Sequence, residues 1–136
     1  MALIDRSATW PWKGDTPVHL PRPEIVPEDF LVPGDPARVD MAASVLTDYT
    51  IVGQNREFRM GVGFFEGRRI GVCSTGIGGA STEIAMVELA AMGAKRIVRI
   101  GGMGALAADL NLGDFLIVER TPPNSACARP YAPAES

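Results

Sequence analysis

The segment "VCSTGIGGASTEIAMVELAAMG", Val72 to Gly93, constrains the fold more than any other stretch of the chain. An apolar run ends in a cluster of small and turn-forming residues, Ser74 to Ser81, and the spacing beyond it predicts a helix from about Ser81 to Met92. Along that helix Ile84, Ala85, Met86, Val87, Leu89, Ala90, Ala91 and Met92 leave little polar face. Such a helix needs cover on more than one side, from a sheet and from a second element or another chain. Gly93 is placed to end it, because glycine accepts the left-handed conformation of a helix terminus.

The same order, strand then turn then helix, occurs earlier in "LVPGDPARVD", Leu31 to Asp40. Phe30-Leu31-Val32 reads as a strand end, and Pro33-Gly34 breaks it. Asp35 suits a helix N-cap with Pro36 at the first helical position, and Val39, Ala42, Ala43 and Leu46 then recur on one helical face. A junction of this kind points backbone N–H groups and a helix dipole at an anion, and Arg38 adds a guanidinium. A tight turn that binds nothing has the same sequence signature.

Between the two helices, "YTIVGQ" (Tyr49 to Gln54), "EFRMGVGFF" and "RRIGVCST" read as three strands, the last two joined by a hairpin turn at Glu66-Gly67. "RIVRIG" (Arg96 to Gly101) reads as a strand buried on both faces and interrupted by Arg99, which then requires a partner. A turn at Asn111 to Asp114 and a last strand, Phe115 to Val118, follow. The sequence thus divides into an irregular arm, 1–27, carrying Trp10 and Trp12 that are expected to cover an interface, an α/β body, 28–120, and an irregular tail, 121–136. The fold class expected is α/β, a mixed, largely parallel central sheet flanked by helices.

Charge and composition narrow the functions. A formal net charge of −3 and a pI near 5.1 disfavour nucleic acid or an anionic membrane as partner, yet leave room for a small anion held by local arginines. Cys73 and Cys127 are far apart and His19 is the single histidine, so neither a disulfide nor a zinc site is expected. No run resembles a signal peptide or a membrane span, which points to the cytoplasm.

Ligands in open α/β sheets bind beyond the carboxyl ends of the strands, where this chain places Gly34, Gly76 to Gly79 and Gly101 to Gly104. Arg38 and Arg99 stand beside the first and third of these clusters, a convergence that favours an oxyanion site. "GIGG" and "GGMG" break the spacing of a dinucleotide fingerprint, no Gly-Lys-Ser/Thr of a P-loop is present, and no G-x-S-x-G elbow surrounds Ser74 or Ser81, the latter a helix cap by position. Glu57 and Glu88 are candidates for a pair of acids. Glu88, on an otherwise apolar helix, is as well suited to pair with an arginine as to donate a proton, and Glu57 suits an exposed strand position.

Taken together, "VPGDPARV", "REF", "VCSTGIGGASTEIAMVEL" and "RIGGMGAL…LGD" resemble the nucleoside phosphorylase family, the hexameric group of uridine phosphorylases and bacterial purine nucleoside phosphorylases. The resemblance runs from about His19 to Glu119, with Glu83 at a position where the family has a small residue. It implies phosphate attack on the anomeric carbon of a nucleoside, releasing base and ribose 1-phosphate, a pentosyltransferase reaction with uridine-like substrates favoured.

By resemblance Gly34, Arg38, Arg99 and Gly102 hold phosphate, Arg56 reaches the same phosphate in a neighbouring subunit, and His19 contacts the ribose across that interface. The partners implied are phosphate, a nucleoside and further copies of the chain, as a dimer or hexamer. No organic cofactor is implied, only a monovalent cation, potassium, between subunits at Glu57, Ile77 and Ser81. Gly102 stands where the family usually has a hydroxyl residue, which removes one hydrogen bond of roughly 0.5–1.5 kcal/mol and implies weaker phosphate binding. The family's ribose-gripping Met-Glu pair and its base-recognition residues lie in a second half that these 136 residues do not match. Two readings follow: a nucleoside phosphorylase, or a catalytically incomplete homologue that keeps the phosphate pocket and the subunit interface.

Overall fold

Strand β3 (Asp29–Val32) organises the molecule, and its neighbours explain the sequence pattern around it. The structure, a computed structural model, describes residues 12–13 and 16–120. In chain order it holds β1 (Trp12–Lys13), β2 (Thr16–Pro17), β3, α1 (Ala37–Met41), a 3-10 turn (Ala42–Ser44), β4 (Thr47–Asn55), β5 (Phe58–Phe65), β6 (Arg68–Cys73), α2 (Gly79–Met92) and β7 (Arg96–Arg99). The five-stranded sheet has the order β4-β5-β6-β3-β7. β3 runs parallel to β6 and β7, while β4-β5-β6 form an antiparallel meander. The sheet is therefore mixed, as expected, and its parallel half carries the glycine exits. β1 and β2 form a separate two-residue antiparallel ladder in the arm. The expectation that Trp10 and Trp12 cover an interface concerns side chains outside the described residues.

Alternation along β3 sends Phe30 and Val32 to one face and Leu31 to the other, as a period of two requires. On the first face they pack with Leu20, Phe58, Met60, Cys73 and with Ala85 and Leu89 of α2. On the second, Leu31 and Ile70 pack with Val39, Leu46 and Val72 under α1. Fully burying a side chain of the size of Phe30 contributes about 1.5–3 kcal/mol. The Phe30 ring lies directly over Gly71, where an added Cβ would stand 2.2 Å from its Cε1. Tyr49 covers Gly61 and Gly63 in the same way and donates from its hydroxyl to the Val39 carbonyl at 2.6 Å, tying β4 to α1. Burial, and then the charge of Asp40, push the Tyr49 phenol up to about 12.

The three middle strands and the Glu66-Gly67 turn form as expected, with both turn residues at positive φ (48° and 77°), the geometry of a two-residue hairpin. Gly93 ends α2 in the left-handed region at φ 115°. Other expectations need correction. The first helix is five residues of α-helix followed by a 3-10 turn, although Val39, Ala42 and Leu46 do face the core. Ser81 does not cap α2: Gly78 holds that position, and the Ser81 hydroxyl turns back to the carbonyls of Ile77 (3.1 Å) and Gly78 (3.3 Å).

β7 is an edge strand, exposed at Arg96, Val98 and Arg99, and not a strand buried on both faces, because β3 is its one partner in the sheet. Phe115 to Val118 are not a strand either; with no ladder partner among the described residues, those side chains are exposed. The turn at Asn111 to Asp114 does form, closed by the Asp114 carboxylate on the Asn111 N–H at 2.7 Å. Contacts along the chain fall into two units, Met1–Ile100 and Gly101–Ser136. Among the described residues no helix is long and apolar enough to cross a membrane.

Candidate functional site

Because β3, β6 and β7 are parallel, their carboxyl ends lie together, and the loops leaving β3 and β6 meet. The Thr75 N–H donates to the Pro33 carbonyl and the Gly76 N–H to the Gly34 carbonyl, both at 2.9 Å, so the first two glycine exits are zipped side by side. The third strand brings Arg99 across them: a Cβ on Gly34 would stand 3.3 Å from Arg99 Nη2 and 3.2 Å from the Gly76 carbonyl oxygen. Glycine at position 34 thus leaves just enough room for the guanidinium to lie over the turn. Arg99 donates from Nη1 to the Ile100 carbonyl at 3.0 Å and makes no ion pair among the described residues. It is exposed, in contrast to the buried arginine expected from "RIVRIG".

Arg38 is also exposed and likewise has no ion pair among the described residues. The free N–H groups expected at this junction are in part already used. Asp35 accepts the Ala37 N–H on its carboxylate at 2.9 Å, and the N–H groups of Arg38 and Val39 reach the Asp35 and Pro36 carbonyls. A single-turn helix closed in this way has a small dipole, so the positive charge of this corner resides in the two guanidiniums.

A second group of candidates gathers around the β4–β5 turn. Asn55 pairs with Phe58, leaving Arg56 and Glu57 as a two-residue turn with Arg56 at φ 53°, held by a bond from Gln54 Nε2 to the Arg56 carbonyl at 2.9 Å. Asn55 Nδ2 donates to the His19 carbonyl at 2.8 Å, which sets the His19 segment beside Arg56. The Glu57 side chain lies on Gly76, whose φ of 69° and missing Cβ allow the approach, so the turn and the glycine exit are in contact. Ile77 is fully exposed beyond it, with the Ser81 hydroxyl on its carbonyl. Among the described residues no cluster of His, Cys, Asp and Glu has the makings of a metal site. Gly102 lies in the second unit.

In the structure Glu88 takes a partner that is not an arginine. It is 2% exposed and accepts the backbone N–H groups of His19 and Leu20 together with His19 Nδ1 at 2.7 Å. The signal in the sequence was an acid inside an apolar helix together with a single histidine, but their separation along the chain hides the pairing. Ser74 is no nucleophile: its buried hydroxyl accepts the Arg59 N–H at 2.8 Å and donates to the Glu57 carbonyl, which fixes the β4–β5 turn against β6.

Comparison with known proteins places this arrangement. Residues 30–132 match the family model described as the phosphorylase superfamily. The chain is 40% identical over 105 residues to uridine phosphorylase from Haemophilus influenzae, covering 77% of this chain and 42% of that protein. It is 36% identical over 110 residues to guanosine phosphorylase from Halorubrum lacusprofundi, covering 81% of this chain and 46% of the relative. Among solved structures, a uridine phosphorylase from Vibrio fischeri superposes with a TM-score of 0.54 at 36% identity, over 54% of this chain and 30% of that one. The chain spans under half the length of these relatives. With the α/β topology, the glycine exits and the family match over most of its length in agreement, the chain belongs to the phosphorylase superfamily.

Proposed function

We propose that this chain carries the phosphate-binding part of a nucleoside phosphorylase, uridine-like in preference. A phosphate oxygen attacks the ribose anomeric carbon, the bond from that carbon to the base breaks with its electrons leaving on the base, and ribose 1-phosphate and base are released. The transition state resembles an oxocarbenium ion facing phosphate, so the work of the protein is to position the reactants and to place charge. The observation that carries this reading is the Arg99 guanidinium laid over Gly34 at the carboxyl ends of three parallel strands, without an ion pair among the described residues. A bidentate phosphate is the natural counter-charge for such a group.

In this reading Gly34, Arg38 and Arg99 serve the chain's own phosphate. Arg56 and His19, neighbours at the β4–β5 turn, serve the site of a second copy, Arg56 on phosphate and His19 on ribose. The Glu57 carboxylate, the Ile77 carbonyl and the Ser81 hydroxyl are the oxygens offered to potassium. The alternative is a homologue that binds phosphate without completing the reaction; the chain spans under half of each relative.

Phosphorolysis of uridine, inosine and adenosine, each with and without phosphate, separates the two. Phosphate-dependent release of base supports the enzyme; phosphate binding without release supports the alternative. Phosphate at about 100 times its dissociation constant should stabilise the chain by roughly 2.7 kcal/mol in thermal unfolding. Arg99→Ala should remove that response and leave the fold in place, since the side chain is exposed. A melting temperature indifferent to phosphate beyond an ionic-strength control would overturn both readings.

A further inference from the structure

The placement of Glu88 deepens the reading of His19 as a ribose contact, on which it rests. Its carboxylate, 2% exposed on α2, gathers three donors from the arm: Oε1 accepts His19 Nδ1 at 2.7 Å, Oε2 accepts the Leu20 N–H at 2.8 Å, and both oxygens share the His19 N–H at 3.2 and 3.0 Å. A buried acid is costly unless its oxygens are satisfied, and here the partners all come from one two-residue segment. Asn55 fixes the other side of that segment through the His19 carbonyl at 2.8 Å, and the imidazole packs edge-on to Phe58 with ring centroids 6.1 Å apart.

We propose that Glu88 is the positioning residue for His19: it fixes the ring in the Nδ1–H tautomer, so that Nε2 is a bare acceptor held for a ribose hydroxyl of the neighbouring copy's nucleoside. A carboxylate only accepts hydrogen bonds, so the nitrogen facing it carries the proton, and a neutral imidazole then has its lone pair on Nε2. The ring remains 30% exposed, which leaves it reachable by a ligand. The partner recognised is a group that donates a hydrogen bond, such as a hydroxyl, and a substrate analogue with only acceptors at that position is rejected.

His19 is the single histidine of the sequence, so the imidazole nitrogen spectrum of the whole protein, labelled with 15N, has one ring to assign. The ligand-free protein should show Nδ1 protonated and Nε2 bare. Glu88→Gln, which sets amide hydrogens against three donors, should move the ring toward the Nε2–H tautomer. Uridine added with phosphate should shift the Nε2 signal of the unmutated protein, and Glu88→Gln should weaken that nucleoside binding about two- to tenfold, the value of one hydrogen bond.

If Glu88→Gln fails to fold, His19→Ala, which keeps both backbone bonds to Glu88, should lower nucleoside affinity by the same factor. In that background Glu88→Asp should add nothing further, whereas alone it should weaken binding. An Nε2–H tautomer in the unmutated protein, or one unmoved by Glu88→Gln, overturns the positioning. The expected tautomer with an Nε2 signal blind to uridine, in a protein whose stability does respond to phosphate, overturns the ribose contact alone. Failure of the phosphate response as well is failure of the phosphorylase reading.

Discussion

Single residues in this chain are decided by what lies within an ångström or two of them. Gly71 is a glycine because the Phe30 ring occupies the place of its side chain, 2.2 Å from where a Cβ would sit. Gly71→Ala is therefore expected to destabilise the fold by about 1–3 kcal/mol, as overpacking does, and a lowered urea midpoint with an unchanged slope would show it. Cys73 has its thiol pushed up to about 12, first by burial and then by the charge of Glu88. At pH 8 its thiolate fraction is then about one part in ten thousand, so in a Cys127→Ser variant native Cys73 should resist alkylation until urea opens the core. The folded-state value lies above the ordinary 9.0, so this contribution to stability is complete below that pH and declines as pH rises from 9.0 toward about 12. Rapid native labelling at pH 8 would contradict the burial.

At the scale of elements, the amino ends of the parallel strands are tied by charge. Asp29 of β3 meets Arg68 of β6 at 2.8 Å and Arg96 of β7 through both of its oxygens. The Arg96 hydrogen bond, foremost, holds the Asp29 carboxyl below its ordinary range. A group whose folded value is depressed lends stability above its unfolded value, near 3.8, and loses it as pH falls through the folded one. Asp29→Asn should thus lower stability at pH 7 and flatten its fall as pH drops below about 4, read from urea midpoints across the acid range; parallel curves for both proteins would count against the clasp. Elements were legible where local chemistry suffices: the Glu66-Gly67 turn, the Gly93 terminus and the three middle strands all follow from residues within a few positions. Phe115 to Val118 have the composition of a strand without a neighbour to pair with, and composition alone makes no ladder.

For the whole molecule, exposed apolar side chains mark what the chain offers to others. Ile77, Met41, Val45 and Val98 are exposed in the first unit, and α2 buries Ala85, Glu88 and Leu89 while Ala90 and Ala91 face outward. Together with the Asn55 bond that ties the His19 segment to the turn bearing Arg56, this leads to the expectation that the chain self-associates, a dimer being the smallest assembly in which those two residues reach a neighbour's site. Light scattering of purified protein should show no dominant species at 14.5 kDa, and a single monomeric species would sink the shared-site arrangement.

The sequence by itself determined the family, the strand–glycine–helix units and the identities of the residues at the strand exits, because these are written in short motifs whose turn chemistry and periodicity are local. It also marked Arg99 and Gly34 as belonging to one kind of site. Only the tertiary structure decided that Gly34 is small to admit that guanidinium, since β3 and β7 meet through a register that no local pattern encodes. The same holds for Glu88. Its sequence environment suggests an arginine partner or a proton donor, and the choice of His19 came from the packing of the arm on α2, where a buried carboxylate takes whichever donors the fold delivers to it.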